Sequence, residues 1–165
     1  MAALEPLRGA PGEPRWTAPE RWHLTLVFLG AVPAGCLPEL VSAAGPAVAA
    51  TPPLRLRLAG GGRFGPRRRP QVAWAGVEGD VAPLAACAGR LSGVARSLGL
   101  AVEDRPFRAH LTLGRWRPGR PADGTLTDRL VAYRGPDWAV DELLLLESRL
   151  GAVASYERVA GWPVG

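Results

Sequence analysis

Apolar positions along this chain recur with two periods, and the changes between them mark out the elements. Residues 22–29 (WHLTLVFL) predict a strand, closed by Gly30 and a turn around Pro33. Residues 37–50 are rich in alanine and read as a helix that Gly45-Pro46 should break or kink. Leu54, Leu56 and Leu58 alternate with Arg55 and Arg57, the period-two pattern of a half-buried strand over 54–59. A loop is expected from Gly60 to Pro70, with three consecutive glycines and the run Arg67-Arg68-Arg69, before a second strand at 71–78. The two strands would form a long-looped hairpin. Val81, Leu84, Ala88, Leu91, Val94, Ala95 and Leu98 recur at three- and four-residue steps, so 81–98 predicts an amphipathic helix ended by Gly99. A strand is expected at 106–116, a short helix near 125–133, a buried strand at 138–149 and a last strand at 153–160. Hairpin-style connections between these strands indicate an antiparallel α+β fold. No segment has the composition of a linker.

Composition narrows the class. A chain of 165 residues, 47% of them apolar, suits one domain or two small lobes sharing a core. No stretch reaches the roughly 18 apolar residues needed to span a bilayer, and the N-terminal residues lack the apolar core of a signal peptide. Cys36 and Cys87 lie far apart without metal-ligand spacing, which reads as free thiols in a reducing cytoplasm. All 20 basic residues are arginine. Abundant Ala, Gly, Pro and Arg is the signature of a GC-rich genome, so part of this bias carries no function. The net charge of +5 nevertheless favours an anionic partner, and arginine's planar fork suits phosphate oxygens.

The candidate chemistry lies in one repeated word. The only two histidines open identical tetrapeptides, His23-Leu24-Thr25-Leu26 and His110-Leu111-Thr112-Leu113. On a strand, side chains alternate between faces, so His23 shares a face with Thr25, and His110 with Thr112. Two such strands side by side would present two imidazoles and two hydroxyls to one groove. That set suits a phosphodiester opened by in-line attack. One histidine takes a proton from water, the other protonates the departing ribose oxygen, and the threonines hydrogen-bond the non-bridging oxygens. The residues alone do not say which histidine gives and which accepts. Strict alternation places Arg115 on the face opposite His110, unless Gly114 bends the strand.

Other chemistries fit less well. Zinc sites want three or four ligands, and the chain offers no third histidine or close cysteine pair. There is no G-x-S-x-G, and GGGRFG at 60–65 lacks the Lys-Ser/Thr ending of a phosphate-cradling loop. The arginines of that loop, Arg69 among them, are placed to touch an RNA backbone. Phe64 and Phe107 neighbour the basic loop and the second motif, where an aromatic ring can stack on a base.

With these residues the chain resembles the two-histidine (2H) phosphoesterases, and within them the bacterial and archaeal RNA 2′,3′-cyclic phosphodiesterases, often described as 2′-5′ RNA ligases. RWTAPERWHLTLVFLG (15–30) resembles the first motif block of that family. GRFGPRRRPQVAWAGV (62–77) resembles its Arg/Pro loop and following strand. RPFRAHLTLGR (105–115) resembles its second block, and DELLLLESRLGAVASYERVAGWPV (141–164) its C-terminal strand pair. The resemblance implies a single bilobal domain over 1–165, two antiparallel sheets in pseudo-two-fold symmetry around a central cleft, with helices outside. It implies metal-independent hydrolysis of an RNA or nucleotide 2′,3′-cyclic phosphate to a 2′-phosphomonoester, with no cofactor. It makes His23 the proton donor and His110 the proton acceptor, has Thr25 and Thr112 hold phosphate oxygens, and has Arg115 add charge beside them. The implied partners are RNA with a 2′,3′-cyclic phosphate end, tRNA fragments included, or cyclic nucleotides. The chain departs from the family in one respect: a strand and helix usually precede the first block, whereas here the first residues read as the tail of that helix. A first strand is therefore expected to be missing. Two other functions fit the same words: a non-catalytic binder of RNA ends, and a 2H enzyme acting on 2′-5′ linkages or another cyclic nucleotide.

Overall fold

The computed structural model describes residues 8–119, 121–149 and 155–165. Residues 1–7, which carry most of the expected helix tail, lie outside this set. Seven strands are described: β1 (Arg15–Trp16), β2 (Arg55–Phe64), β3 (Val72–Gly79), β4 (His110–Arg115), β5 (Arg134–Ala139), β6 (Glu142–Arg149) and β7 (Ser155–Pro163). The helices are α1 (Leu37–Ala49) and α2 (Val81–Ser97), with short 3-10 turns at Pro19–Arg21, Ala34–Cys36 and Gly124–Leu130. The fold is α+β, with a five-stranded sheet in the order β1-β4-β3-β2-β5 and a two-stranded sheet of β6 and β7. The chain forms two compact units, each assembled from three separate segments.

The first unit comprises residues 8–24, 57–78 and 109–137 of the described chain. Its core is Ala73, Ala75, Leu111, Leu113, Trp116 and Leu130, with Trp16, Trp22, Leu24 and Leu58 packed against it. The strand expected over 54–59 runs further, to Phe64, straight through the glycines read as a loop. Close packing explains this. A Cβ on Gly61 would lie 2.5 Å from the Leu130 Cβ, and one on Gly62 would lie 2.7 Å from the Trp74 ring. These glycines make room for neighbours, and the hairpin loop shrinks to the residues after Phe64. The short helix expected near 125–133 is the 3-10 turn at Gly124–Leu130. Asp123 caps it by accepting the Thr125 amide at 2.8 Å.

The second unit packs α1 and α2 together over a core of Leu40, Ala95 and Leu100, joined by Leu29, Val32, Leu37 and Leu145. Helix α1 continues through Pro46 instead of breaking. Gly45 has no Cβ to clash with the proline ring, and the position its Cβ would take is 3.5 Å from the Trp162 indole nitrogen. Arg90 of α2 donates to the Ala47 carbonyl at 2.9 Å and to the buried Thr51 hydroxyl at 2.7 Å, capping the end of α1 with a cation. Gly99 ends α2 with φ +74°. The strand expected at 138–149 is two strands, β5 and β6, separated at Val140-Asp141, and β6 is half-exposed along its length, not buried. Its partner β7 runs Ser155–Pro163; residues 153 and 154 of the expected strand lie outside the described set. Cys36 and Cys87 are free thiols. No helix among the described residues is long and apolar enough to cross a membrane.

The largest departure concerns residues 22–29. They do not form a strand; Leu24 alone pairs, in an isolated antiparallel bridge with Leu111. The apolar alternation has another origin. Leu24 joins the first core and Leu29 the second, while Phe28 is 67% exposed, so these residues do not share one sheet face.

Candidate active site

β4 is the scaffold. On one side it pairs antiparallel with β3: Gly76 with His110, Ala75 with Leu111 and Trp74 with Thr112, then Ala73 with Gly114 and Val72 with Arg115. Between the third and fourth of those pairs β4 carries one extra residue, Leu113, a β-bulge. Below the bulge Leu111 and Leu113 enter the core; above it the buried residue is Trp116, three positions on rather than two. The bulge therefore reverses the alternation. Directly paired residues share a face, so Arg115 lies with Val72 on the same face of β3 as Trp74, which is the face of Thr112 and His110. Strict alternation placed Arg115 on the other face. The turn comes from an extra residue at Leu113, beside the glycine suspected of bending the strand.

The other side of β4 receives the N-terminal segment in two pieces. Arg15 pairs with Arg115 and Trp16 with Gly114, and the Thr17 amide donates to the Leu113 carbonyl at 2.8 Å. The chain then leaves the sheet in the 3-10 turn, closed by the Trp22 indole donating to the Thr17 carbonyl at 3.0 Å. It returns at Leu24, opposite Leu111. Both leucines belong to the core, so His23 and Thr112, flanking the bridge, turn to the opposite face. The two tetrapeptides thus meet antiparallel. His23 is exposed, and its Nδ1 lies 2.9 Å from the Arg21 carbonyl oxygen. A carbonyl only accepts, so Nδ1 carries the hydrogen of this bond.

His110 is held differently. The Phe64 ring stands edge-on to its imidazole, with centroids 5.0 Å apart, and Phe64 packs in turn against Trp74 at 5.7 Å. Trp74 occupies the space left by Gly62. His110 is thereby set within an aromatic row from β2 and β3.

Of the other residues singled out in the sequence, Arg69 lies in the exposed turn between β2 and β3, where its amide donates to the Pro66 carbonyl. Its neighbour Arg67 is committed to an ion pair with Asp128 at 2.9 Å. Phe107 is half-buried in the second unit and makes no ring contact among the described residues. Thr25 is exposed and is the first residue of the second unit. The structure brings together His110, Thr112, Phe64 and Arg115, with His23 opposite Thr112. Sequence reasoning missed Trp74 and Arg15. The glycine triplet was the available signal for Trp74, because consecutive small residues in a strand mark a large side chain lying across them. No group of three or more His, Cys, Asp or Glu side chains converges among the described residues.

A family model described as LigT-like phosphoesterase matches residues 4–74. An RNA 2′,3′-cyclic phosphodiesterase of Geobacillus stearothermophilus is 33% identical over 90% of this chain, which spans 47% of that relative's length. One from Thermus thermophilus is 30% identical over 89% of this chain, which spans 71% of it. Among solved structures, Escherichia coli LigT complexed with 3′-AMP superposes with a TM-score of 0.77 at 26% identity, covering 99% of this chain and 88% of the other.

Proposed function

The chain belongs to the LigT-like phosphoesterase family, and from that premise we propose that it hydrolyses 2′,3′-cyclic phosphate ends of RNA to 2′-phosphomonoesters, in the cytoplasm and without a metal. The observation that carries this reading is the antiparallel bridge between Leu24 and Leu111, which turns His23 to the same side as Thr112. In the reaction, His110 accepts a proton from water as the water oxygen bonds to phosphorus. The bond from phosphorus to the 3′-oxygen breaks, and His23 protonates that oxygen. His110 then holds the proton taken from water, His23 has given its own to the 3′-oxygen, the phosphate stays on the 2′-oxygen, and exchange with solvent restores both imidazoles. The Arg21 carbonyl accepting from His23 Nδ1 fixes the imidazole ring and leaves Nε2 as the nitrogen that gives the proton in this reading. Thr112, and Thr25 by its match to the motif, donate hydroxyl hydrogens to the non-bridging oxygens. Arg115 adds positive charge beside them. Phe64, next to His110, offers its ring to stack on the base of the terminal nucleotide.

The test is side-by-side turnover of 2′,3′-cyclic AMP, cyclic-phosphate-ended RNA and a 2′-5′ oligonucleotide, with and without EDTA. Cyclic phosphate should be opened at a rate EDTA leaves unchanged, and His23→Ala and His110→Ala should each lose roughly 10²–10⁴ in turnover. Wild-type rates in either variant would overturn the assignment. Tight binding of RNA ends with no product would replace it by the non-catalytic reading.

A further inference from the structure

Arginine is this protein's only strong cation, and most of its well-placed copies are already paired. Arg63 and Arg67 are bound to Asp128, Arg57 to Asp137 and Arg134 to Glu78. Arg15, Arg115 and Arg117 are different. All three are exposed, and among the described residues none has an acidic partner. Arg15 and Arg115 are also direct cross-strand partners between β1 and β4. Like charges placed opposite each other on a sheet repel, a cost that an anion between them removes. The bulge at Leu113 puts this pair on the face of Thr112 and His110, and Arg117 follows at the end of β4.

A hollow of about 320 Å³ opens at this end of the sheet, lined by Glu13, Pro14, Arg15, Trp116, Arg117 and Pro121. The one acid there is already engaged: the Glu13 carboxylate accepts from the Trp16 indole at 2.5 Å and from the Gly9 amide at 3.1 Å. Strand geometry places the Arg115 Cα roughly 10 Å from that of Thr112, with Arg15 about 5 Å further across the sheet. Arg115 thus stands nearest the phosphate that Thr112 would hold, and Arg15 and Arg117 lie beyond it.

We propose that Arg15 and Arg117 extend the charge begun by Arg115 into a second phosphate subsite, which holds a backbone phosphate of an RNA chain before its reacting end and favours RNA chains over cyclic mononucleotides. The substrate class rests on the phosphodiesterase reading above; the binding of RNA backbone does not. Arginine's fork gives each phosphate two parallel hydrogen bonds, and single-stranded RNA offers successive phosphates at the spacing of such a row.

Two measurements on the Arg15→Ala/Arg117→Ala double variant test it, with Arg96→Ala on α2 as a control that also removes positive charge. In the first, kcat/KM is compared for a short RNA with a 2′,3′-cyclic phosphate end and for 2′,3′-cyclic AMP. The double variant should lose about tenfold of the preference for RNA, through KM, and Arg96→Ala should keep it. An unchanged preference in the double variant overturns the subsite. In the second, fluorescence anisotropy follows binding of a labelled short RNA ending in a 3′-phosphate, which needs no turnover. Weaker binding in the double variant, with the salt slope shallower by roughly 0.7 per lost contact, supports the subsite. Affinity equal to wild type, or a loss matched by Arg96→Ala, rejects it. If wild type opens neither cyclic phosphate, the phosphodiesterase reading fails and the anisotropy result still decides on the subsite.

Discussion

Gly62 is the least conspicuous residue in the row that holds His110, and its missing side chain is what the row depends on. A Cβ there would sit 2.7 Å from the Trp74 ring, which in turn backs Phe64 against the imidazole. Gly62→Ala should therefore cost about 1–3 kcal/mol in urea unfolding, as overpacking does, and should also lower turnover by tilting Phe64. Unchanged values of both would mean that Trp74 does not anchor the row. The two histidines were legible at sight, because every imidazole in the chain stands in the same tetrapeptide. The glycines were misread. Glycine marks a flexible loop and a close approach with the same letter, and only the large side chain lying across it tells them apart.

Among elements, β4 was the best and the worst read. Its existence followed from alternation, but the extra residue at Leu113 has no sequence signature, and the face that strict alternation gave Arg115 was reversed. The strand expected at 22–29 failed for a different reason: its leucines serve two cores, a division that a local pattern cannot show. Helices fared better, since their pattern is internal. Helix α2 was foreseen over 81–98 and is found over Val81–Ser97. The junction between the helices makes its own prediction. Arg90→Ala strands the buried Thr51 hydroxyl and the Ala47 carbonyl, and should lower stability by about 1–3 kcal/mol in chemical unfolding. At the Gly124–Leu130 turn, hydrogen bonds from the Thr125 side chain and amide hold the Asp123 carboxyl below the usual carboxylate range. A pKa depressed by folding stabilises the folded state above the ordinary value, and the benefit is lost as pH falls through the lowered one. Asp123→Ala should thus lower the urea midpoint at neutral pH and have less effect in strong acid, whereas Asp123→Asn, which keeps an acceptor, should fall between.

At the scale of the molecule, the α+β class and antiparallel sheets were legible, because hairpin spacing and alternating strands are written locally. The two lobes were expected from the family resemblance, while their boundaries were not legible, since each unit gathers three distant segments and no linker announces the cut. The proposed chemistry draws on both ends of that long-range pairing. It requires one histidine protonated and the other not, so the rate should rise and then fall with pH, and the alanine variant of each histidine should lose one limb. A profile with one limb in wild type would reduce the pair to a single working group. The bulge also makes chain length, rather than residue identity, the sensitive variable in this part of the protein. Leu113 is one surplus letter in an otherwise regular message. With it taken out, Thr112, Gly114 and Arg115 would stand opposite Trp74, Ala73 and Val72 as an unbroken ladder. Arg115 would keep its side and Trp116 its place in the core, so the deletion would remove one buried leucine without turning the strand over.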